Sequence, residues 1–396
     1  MSRRIPHRPG AVAVVSALLV LVVLGGCSSS SGGNANGSTS TTPATATAPG
    51  GQLVPGSAWR HIAPAQAGLD GAVLDDIART AQVGKSHCLV VERDGAIAGE
   101  WQFAGTTATQ TQDIFSATKS ITSLLVGIAQ DEGDLHIDDS ASKWIPEWRG
   151  TAATQVTVRD LLSNDSGREW SPIIDYVRLI RSSDRTAFAI GLPQQHPPGQ
   201  VWAYNNSAIQ TLQQVLQGAT GEDVSTFAEQ RLFRPLGMAH TRMTTDRAGN
   251  TQTFEGVQSN CEDLARLGLM VQRDGKWGSR QIVSSSWVAE STGKPSTPLN
   301  AAYGYLWWLN RKGVLAGPLS ATNLAAAANP TTARGQLVPG APDDLYWALG
   351  LGNQLVQVDP GSRTVVVRLG TAEAQPKPPT FGPSEASQVV TRAVRH

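Results

Sequence analysis

The chain has no excess of either charge: 32 Lys and Arg face 32 Asp and Glu. A nucleic-acid partner would call for a basic patch against its phosphates, so that class is excluded. Cysteine is scarce. The three residues Cys27, Cys88 and Cys261 cannot make a disulfide framework, and their spacing is not that of a zinc knuckle. The seven histidines are scattered, without the His-Glu-x-x-His spacing that would suggest a metal site. Neither Gly-x-Ser-x-Gly nor Gly-x-x-x-x-Gly-Lys-Ser/Thr occurs, so the nucleophile elbow and the commonest nucleotide cradle drop out. No cofactor is expected. What is there is a chain of 396 residues, 40% hydrophobic, enough for one large folded unit or two ordinary ones.

Arg3, Arg4 and Arg8 precede an uncharged aliphatic run of about 14 residues, 11–24, which ends in Leu24-Gly25-Gly26-Cys27. A bilayer span needs about 20 apolar residues, so residues 1–26 read as an export signal. The small residues before Cys27 resemble the lipobox of bacterial lipoproteins. That resemblance implies lipidation of the Cys27 thiol and a chain anchored on the outer face of the cytoplasmic membrane, in the cell envelope. Residues 28–59 carry no charge and are dominated by Ser, Gly, Thr, Ala and Pro. Such a stretch buries too little apolar area to fold, so residues 27–59 are expected to form a flexible tether. An exported chain meets an oxidising space, which makes the remaining Cys88 and Cys261 candidates for a bridge.

From residue 60 the periodicity changes. Leu69, Val73, Leu74 and Ile77 predict a helix over 69–82. Residues 88–92 and 97–103 flank Asp94-Gly95, a hairpin signal. The middle of the chain reads as helical to about residue 290. The tail reverts to strands at 303–310, 345–349, 354–358 and 364–369, then a helix over 384–395. Residues 314–344, rich in Ala and Pro, read as a weakly ordered excursion. This order predicts an α/β (α+β) fold: an antiparallel sheet of about five strands from both ends of the chain (60–115 and 290–396), flanked by helices, with a mainly helical region (116–289) inserted.

Among the chemistry-bearing patterns, Ser-x-x-Lys stands out but is cheap, because three of the seven lysines satisfy it: Ser116/Lys119, Ser140/Lys143 and Ser291/Lys294. Context separates them. Ile121, Leu124, Leu125 and Ile128 recur at helical spacing after Ser116, so that serine sits on the first turn of a well-buried helix. Positions i and i+3 share a face, and desolvation there lowers the lysine's pKa toward that of a base. Ser140 and Ser291 lie in polar or Gly/Pro-flanked turns and read as surface positions. A second group, Tyr204-Asn205-Asn206, follows the Pro197-Pro198-Gly199 turn and precedes a helix. It is either a proton-shuttling phenol with an orienting amide, or a turn tyrosine with a capping asparagine.

Phe115-Ser116-Ala117-Thr118-Lys119 followed by Tyr204-Asn205-Asn206 resembles the active-site boxes of the serine β-lactamase and penicillin-binding-protein superfamily. Within it, the chain is most similar to the class C-like esterases and 6-aminohexanoate-dimer hydrolases. Supporting landmarks are Val156 to Leu162 with Ser166-Gly167, Phe233 to Met238, and Tyr303 to Trp308. The resemblance implies the β-lactamase/transpeptidase-like fold. It makes Ser116 the acylated nucleophile, Lys119 its base, Tyr204 the general acid/base and Asn206 a substrate-orienting residue. The backbone N–H groups of Ser116 and Ala348 would meet the oxyanion, and Trp307, with Tyr305 and Trp308, either walls an acyl pocket or belongs to the core. The family's Lys/His-Thr-Gly box is absent. In its place stands Tyr346-Trp347-Ala348-Leu349-Gly350-Leu351-Gly352-Asn353-Gln354, without the cation that would hold a substrate carboxylate through a contact worth roughly 1.5–3 kcal/mol. Small esters or linear amides are therefore expected ahead of β-lactams or D-Ala-D-Ala peptides, with a penicilloyl-binding sensor as the alternative of another class. A monomer is expected.

Overall fold

The computed structural model describes residues 54–372 and 380–395. The export signal, Cys27 and most of the expected tether lie outside the described residues. The tether expectation fails at its C-terminal end. Trp59 is buried, its indole Nε1 donates to the Glu262 carbonyl at 3.2 Å, and the Arg266 guanidinium donates to the Gly56 carbonyl at 2.9 Å. An uncharged stretch that ends in a tryptophan has an anchor that composition alone overlooks.

The centre is a six-stranded antiparallel sheet, in the spatial order Ala96–Gln102, Ser86–Arg93, Thr364–Gly370, Gln354–Asp359, Tyr346–Gly350, Trp308–Leu309. Both ends of the chain supply it, and the first and last hairpins meet where Ser86–Arg93 pairs with Thr364–Gly370. Asp94 (φ 55°) and Gly95 (φ 92°) close the first hairpin with the paired positive φ values of a tight I′ turn. The strand Thr364–Gly370 is buried along its whole length. Its Val365, Val367 and Leu369 face one core, and Val366 faces the other, the two-residue alternation of a strand covered on both sides.

On one face lie the helix Gly71–Val83, started by the Asp70 carboxylate accepting from Ala72 and Val73 N–H, and the C-terminal segment around Val389. That last segment is split into Pro383–Ala386 and a π-helical turn Val389–Ala393 rather than one helix. On the other face the helix Cys261–Gln272 packs so tightly that a Cβ on Gly268 would come within 2.5 Å of a Val365 methyl. A disulfide from Cys88 on the sheet to Cys261 at this helix's start ties the two layers, with 6.3 Å between the Cα atoms. Farther from the sheet, the helix Thr118–Glu132 is buried from Thr118 to Ala129 and ends at Gly133 in the left-handed region (φ 86°). Two of its buried hydroxyls are satisfied by distant backbone: Ser120 donates to the Leu306 carbonyl at 2.8 Å and Thr122 to that of Thr253 at 2.7 Å.

Two tail expectations change. Only Trp308–Leu309 of the expected 303–310 strand joins the sheet, because Leu306 adopts a left-handed φ of 63° and folds Tyr303 back against Trp308. The 314–344 excursion is anchored: the buried Asn310 amide donates to the carbonyls of Val338, Ala341 and Pro342, and Ala321–Asn323 pairs with Val201–Ala203.

Candidate active site

Ser116 lies on a single 3-10 turn, Phe115–Ala117, that leads directly into the buried helix. The residue before it is strained. Phe115 has φ 48°, a region that costs a non-glycine residue roughly 1–2 kcal/mol. The turn is held from outside, with Ile114 N–H donating to the Val257 carbonyl at 3.0 Å and Phe115 N–H donating to the Asp113 carboxylate at 2.6 Å. Ser116 is half-buried, so its hydroxyl stands at a boundary between core and solvent.

Lys119 is 1% exposed. Its Nζ lies 2.8 Å from Ser116 Oγ and donates to the Phe254 carbonyl at 2.9 Å, with the Tyr204 ring centroid 4.6 Å away. A hydroxyl and a carbonyl do not replace the hydration shell of an ammonium ion, and burial brings the amine down from 10.5 to about 7. Glu255 and Asp175 act on it in the opposite direction but more weakly. Glu255 is itself committed to Arg185 at 2.6 Å.

Tyr204 is brought to the pair by the strand Val201–Ala203 and the helix Asn206–Gln210. Its hydroxyl interacts with that of Ser116, and burial holds it well above the usual phenol range, so it stays protonated at neutral pH. The ring stacks on Trp308 at 5.5 Å, and its backbone carbonyl accepts from Trp170 Nε1 at 3.0 Å. The capping asparagine of this loop is Asn205, which accepts from Ala208 N–H at 2.8 Å. That frees Asn206, which is buried, touches the Tyr176 hydroxyl, and keeps an Oδ1 without a hydrogen-bond partner among the described residues. A buried acceptor left open in this way fits an N–H that arrives with a ligand.

Asp175, which no sequence pattern flagged, holds this loop from below. It is fully buried in the π-helical turn Ile174–Arg178 and accepts from Asn206 N–H at 2.5 Å, Ser207 N–H at 3.2 Å and Ser207 Oγ at 2.7 Å. Burial raises its carboxyl to about 6, against the pull of those donors and of Lys119. The helix Asn206–Gln210 thus begins on a carboxylate, which suits its dipole.

Ala348 sits differently from the sequence expectation, and of the two alternatives for Trp307 the structure shows the core one. Two residues beyond Ala348 on the same strand, Gly350 is the residue that meets the nucleophile turn. A Cβ there would fall 2.0 Å from the Ile114 carbonyl oxygen and 3.2 Å from Ala117 N. The strand's backbone therefore approaches Ser116 at Gly350, and only glycine permits it. Trp307 is fully buried with its ring against Tyr346, so it is core, while Trp308 is the tryptophan beside Tyr204. Of the other Ser-x-x-Lys pairs, Lys143 is an exposed partner of Asp139. Ser291 is fully buried rather than at the surface, donating to the Val288 carbonyl at 3.2 Å. A cavity of about 80 Å³ behind the Tyr204 loop is lined by Asn164, Arg168, Trp170 and Asn205, and Ser116, Lys119 and Tyr204 do not line it. Among the described residues no cluster of His, Cys, Asp and Glu could hold a metal ion.

A sheet built from both chain ends, a helical insertion, and a Ser-x-x-Lys turn facing a Tyr-x-Asn loop define the β-lactamase-like class of fold. The chain belongs to the beta-lactamase family, whose model matches residues 63–386. It is similar to a penicillin-binding protein of Bacillus subtilis (strain 168), at 26% identity over 147 residues, 34% of this chain and 31% of that one. The match thus spans about a third of that relative's length. Among solved structures it superposes on a Bacteroides dorei DSM 17855 protein described as a beta-lactamase, with a TM-score of 0.66 and 20% identity, covering 83% of this chain and 100% of the other. A Bacillus anthracis protein described as a 6-aminohexanoate-dimer hydrolase gives a TM-score of 0.59 at 18% identity, with 81% and 79% covered.

Proposed function

We propose that this protein is an envelope serine hydrolase that forms an acyl-enzyme on Ser116 and hydrolyses small esters or linear amides, held at the membrane by a lipid on Cys27. The observation that carries the reading is the 2.8 Å approach of Lys119 Nζ to Ser116 Oγ inside a buried setting that favours the free amine. Lys119 takes the hydroxyl proton as Oγ attacks the substrate carbonyl. The negative oxygen is met by the Ser116 N–H and an N–H from the strand end near Gly350. Tyr204, still carrying its proton, hands it to the leaving oxygen or nitrogen and is recharged from Lys119. Water then repeats the sequence on the acyl group, so Ser116 is regenerated and an acid released. Asn206 Oδ1 accepts the N–H of an amide substrate. The strand end reads Leu349-Gly350-Leu351-Gly352-Asn353 and carries no cation to hold a carboxylate, which favours uncharged substrates.

A fluorophosphonate probe tests the reading: labelling at Ser116, lost in Ser116→Ala together with at least roughly 10³-fold of nitrophenyl acetate turnover. Equal labelling of the alanine variant refutes it. A long-lived adduct with a β-lactam and no ester turnover indicates a penicilloyl-binding sensor instead.

A further inference from the structure

Exposed large apolar side chains are not scattered over this molecule. Of eight among the described residues, six lie on two neighbouring segments: Ile173, Tyr176, Val177 and Ile180 on one, Leu319 and Leu324 on the other. The first segment is helical from residue 172 to 181; its exposed side is mostly apolar and also carries Arg178 and Arg181. Ile174 and Leu179 are buried, whereas Ile173 is 67% exposed. The exposed face of a surface helix is ordinarily polar, and a cluster of exposed apolar side chains of this kind marks a binding surface.

The patch is continuous with the catalytic loop. Tyr176 touches the Asn206 side chain and donates its hydroxyl to the Pro318 carbonyl at 3.0 Å, next to Leu319. Asp175, its neighbour in the same turn, carries the Asn206 and Ser207 amides. The strand Ala321–Asn323, between Leu319 and Leu324, pairs with Val201–Ala203, the strand that feeds Tyr204. A ligand whose carbonyl reaches Ser116 past Asn206 has this apolar surface as its next neighbour.

We propose that the substrate carries a medium-chain alkyl acyl group, which lies along the strip formed by Ile173, Tyr176, Val177 and Leu319 while its carbonyl is held at Ser116. The inference rests on the serine-hydrolase reading and adds the substrate class. From residue 173 to 180 the helix advances roughly 10 Å, the reach of about eight chain carbons. Each methylene fully removed from water raises kcat/KM about fourfold, and half-covered methylenes about twofold.

The test is a chain-length series of nitrophenyl esters, acetate to hexadecanoate, with the purified full chain and the Ile173→Ser/Leu319→Ser double variant. Both positions are exposed, so the substitutions leave the core intact. The octanoate-to-acetate ratio of kcat/KM is expected to exceed about 50 and to stop rising near decanoate, and the double variant lowers that ratio at least tenfold. A wild-type preference for acetate or butyrate overturns the proposal, as does a ratio indifferent to the substitutions. If the substitutions leave the ratio intact but weaken binding to phosphatidylglycerol vesicles, or turn a dimer into a monomer, the surface serves a membrane or a second copy and the proposal is wrong. Absence of both ester turnover and Ser116 labelling sinks the hydrolase reading, and this inference with it. Ser116 labelling with turnover but no chain preference sinks this inference alone.

Discussion

A pH titration of kcat/KM puts the Lys119 environment under direct test. Burial brings this amine from 10.5 to about 7. At pH 7 about half of the molecules then carry a free base, whereas an ordinary lysine would be free in about three of ten thousand. Burial therefore supplies the free amine about a thousand times more often, which on the proposed mechanism lets a lysine stand where a histidine base would. The sign follows from the base being the deprotonated form. Activity rises about tenfold per pH unit below the inflection, bends near pH 7, and stays level through the range in which Tyr204 keeps its proton. Lys119→Arg keeps the charge and cannot release it, so the loss is about 10²–10⁴-fold at every pH from 5 to 9. The measurement is the ester rate across that range at constant ionic strength. A flat profile, or a bend near 10, refutes the idea that a desolvated amine is the base.

Asp175 favours the charged form of Lys119, so Asp175→Asn moves the same bend to lower pH, while the single amide oxygen still accepts from one of the Asn206 and Ser207 N–H groups, which the two carboxylate oxygens share out. An unmoved bend would show that the two groups are uncoupled. Gly350→Ala puts a Cβ 2.0 Å from the Ile114 carbonyl oxygen, so strand and nucleophile turn must part; about 10²-fold of activity is lost with an unchanged circular dichroism spectrum, and full activity would refute the close approach. Replacing Cys88 and Cys261 by alanine opens a closure of 173 residues, and the loop-entropy relation puts the loss near about 5 kcal/mol. Guanidinium unfolding checks this, and a change under about 1 kcal/mol would contradict it.

Much of this molecule is written in short-range pattern. The two-residue alternation of Thr364–Gly370, the Asp94-Gly95 turn and the helical spacing after Ser116 report local backbone preference and one buried face. Those are properties of neighbouring residues, so the sheet from both ends, the buried helix and the Ser116/Lys119 pair on one face were legible. Local context also ranked Ser116 above Ser140 and Ser291, although burial of Ser291 was not legible, because the residues that cover it come from other segments. Asp175 had no local signal: an aspartate in a helix is ordinary until Asn206 and Ser207 arrive from 31 and 32 residues away. Register between distant strands decided Gly350 over Ala348, and the left-handed turn at Leu306 decided Trp308 over Trp307. The chain alone determined which groups could react and on which face of a helix they sit. Only the tertiary structure brings them together and lowers the lysine's pKa, because that shift depends on the water excluded by Phe254 and Tyr204, and exclusion of water exists only once distant segments have closed around it.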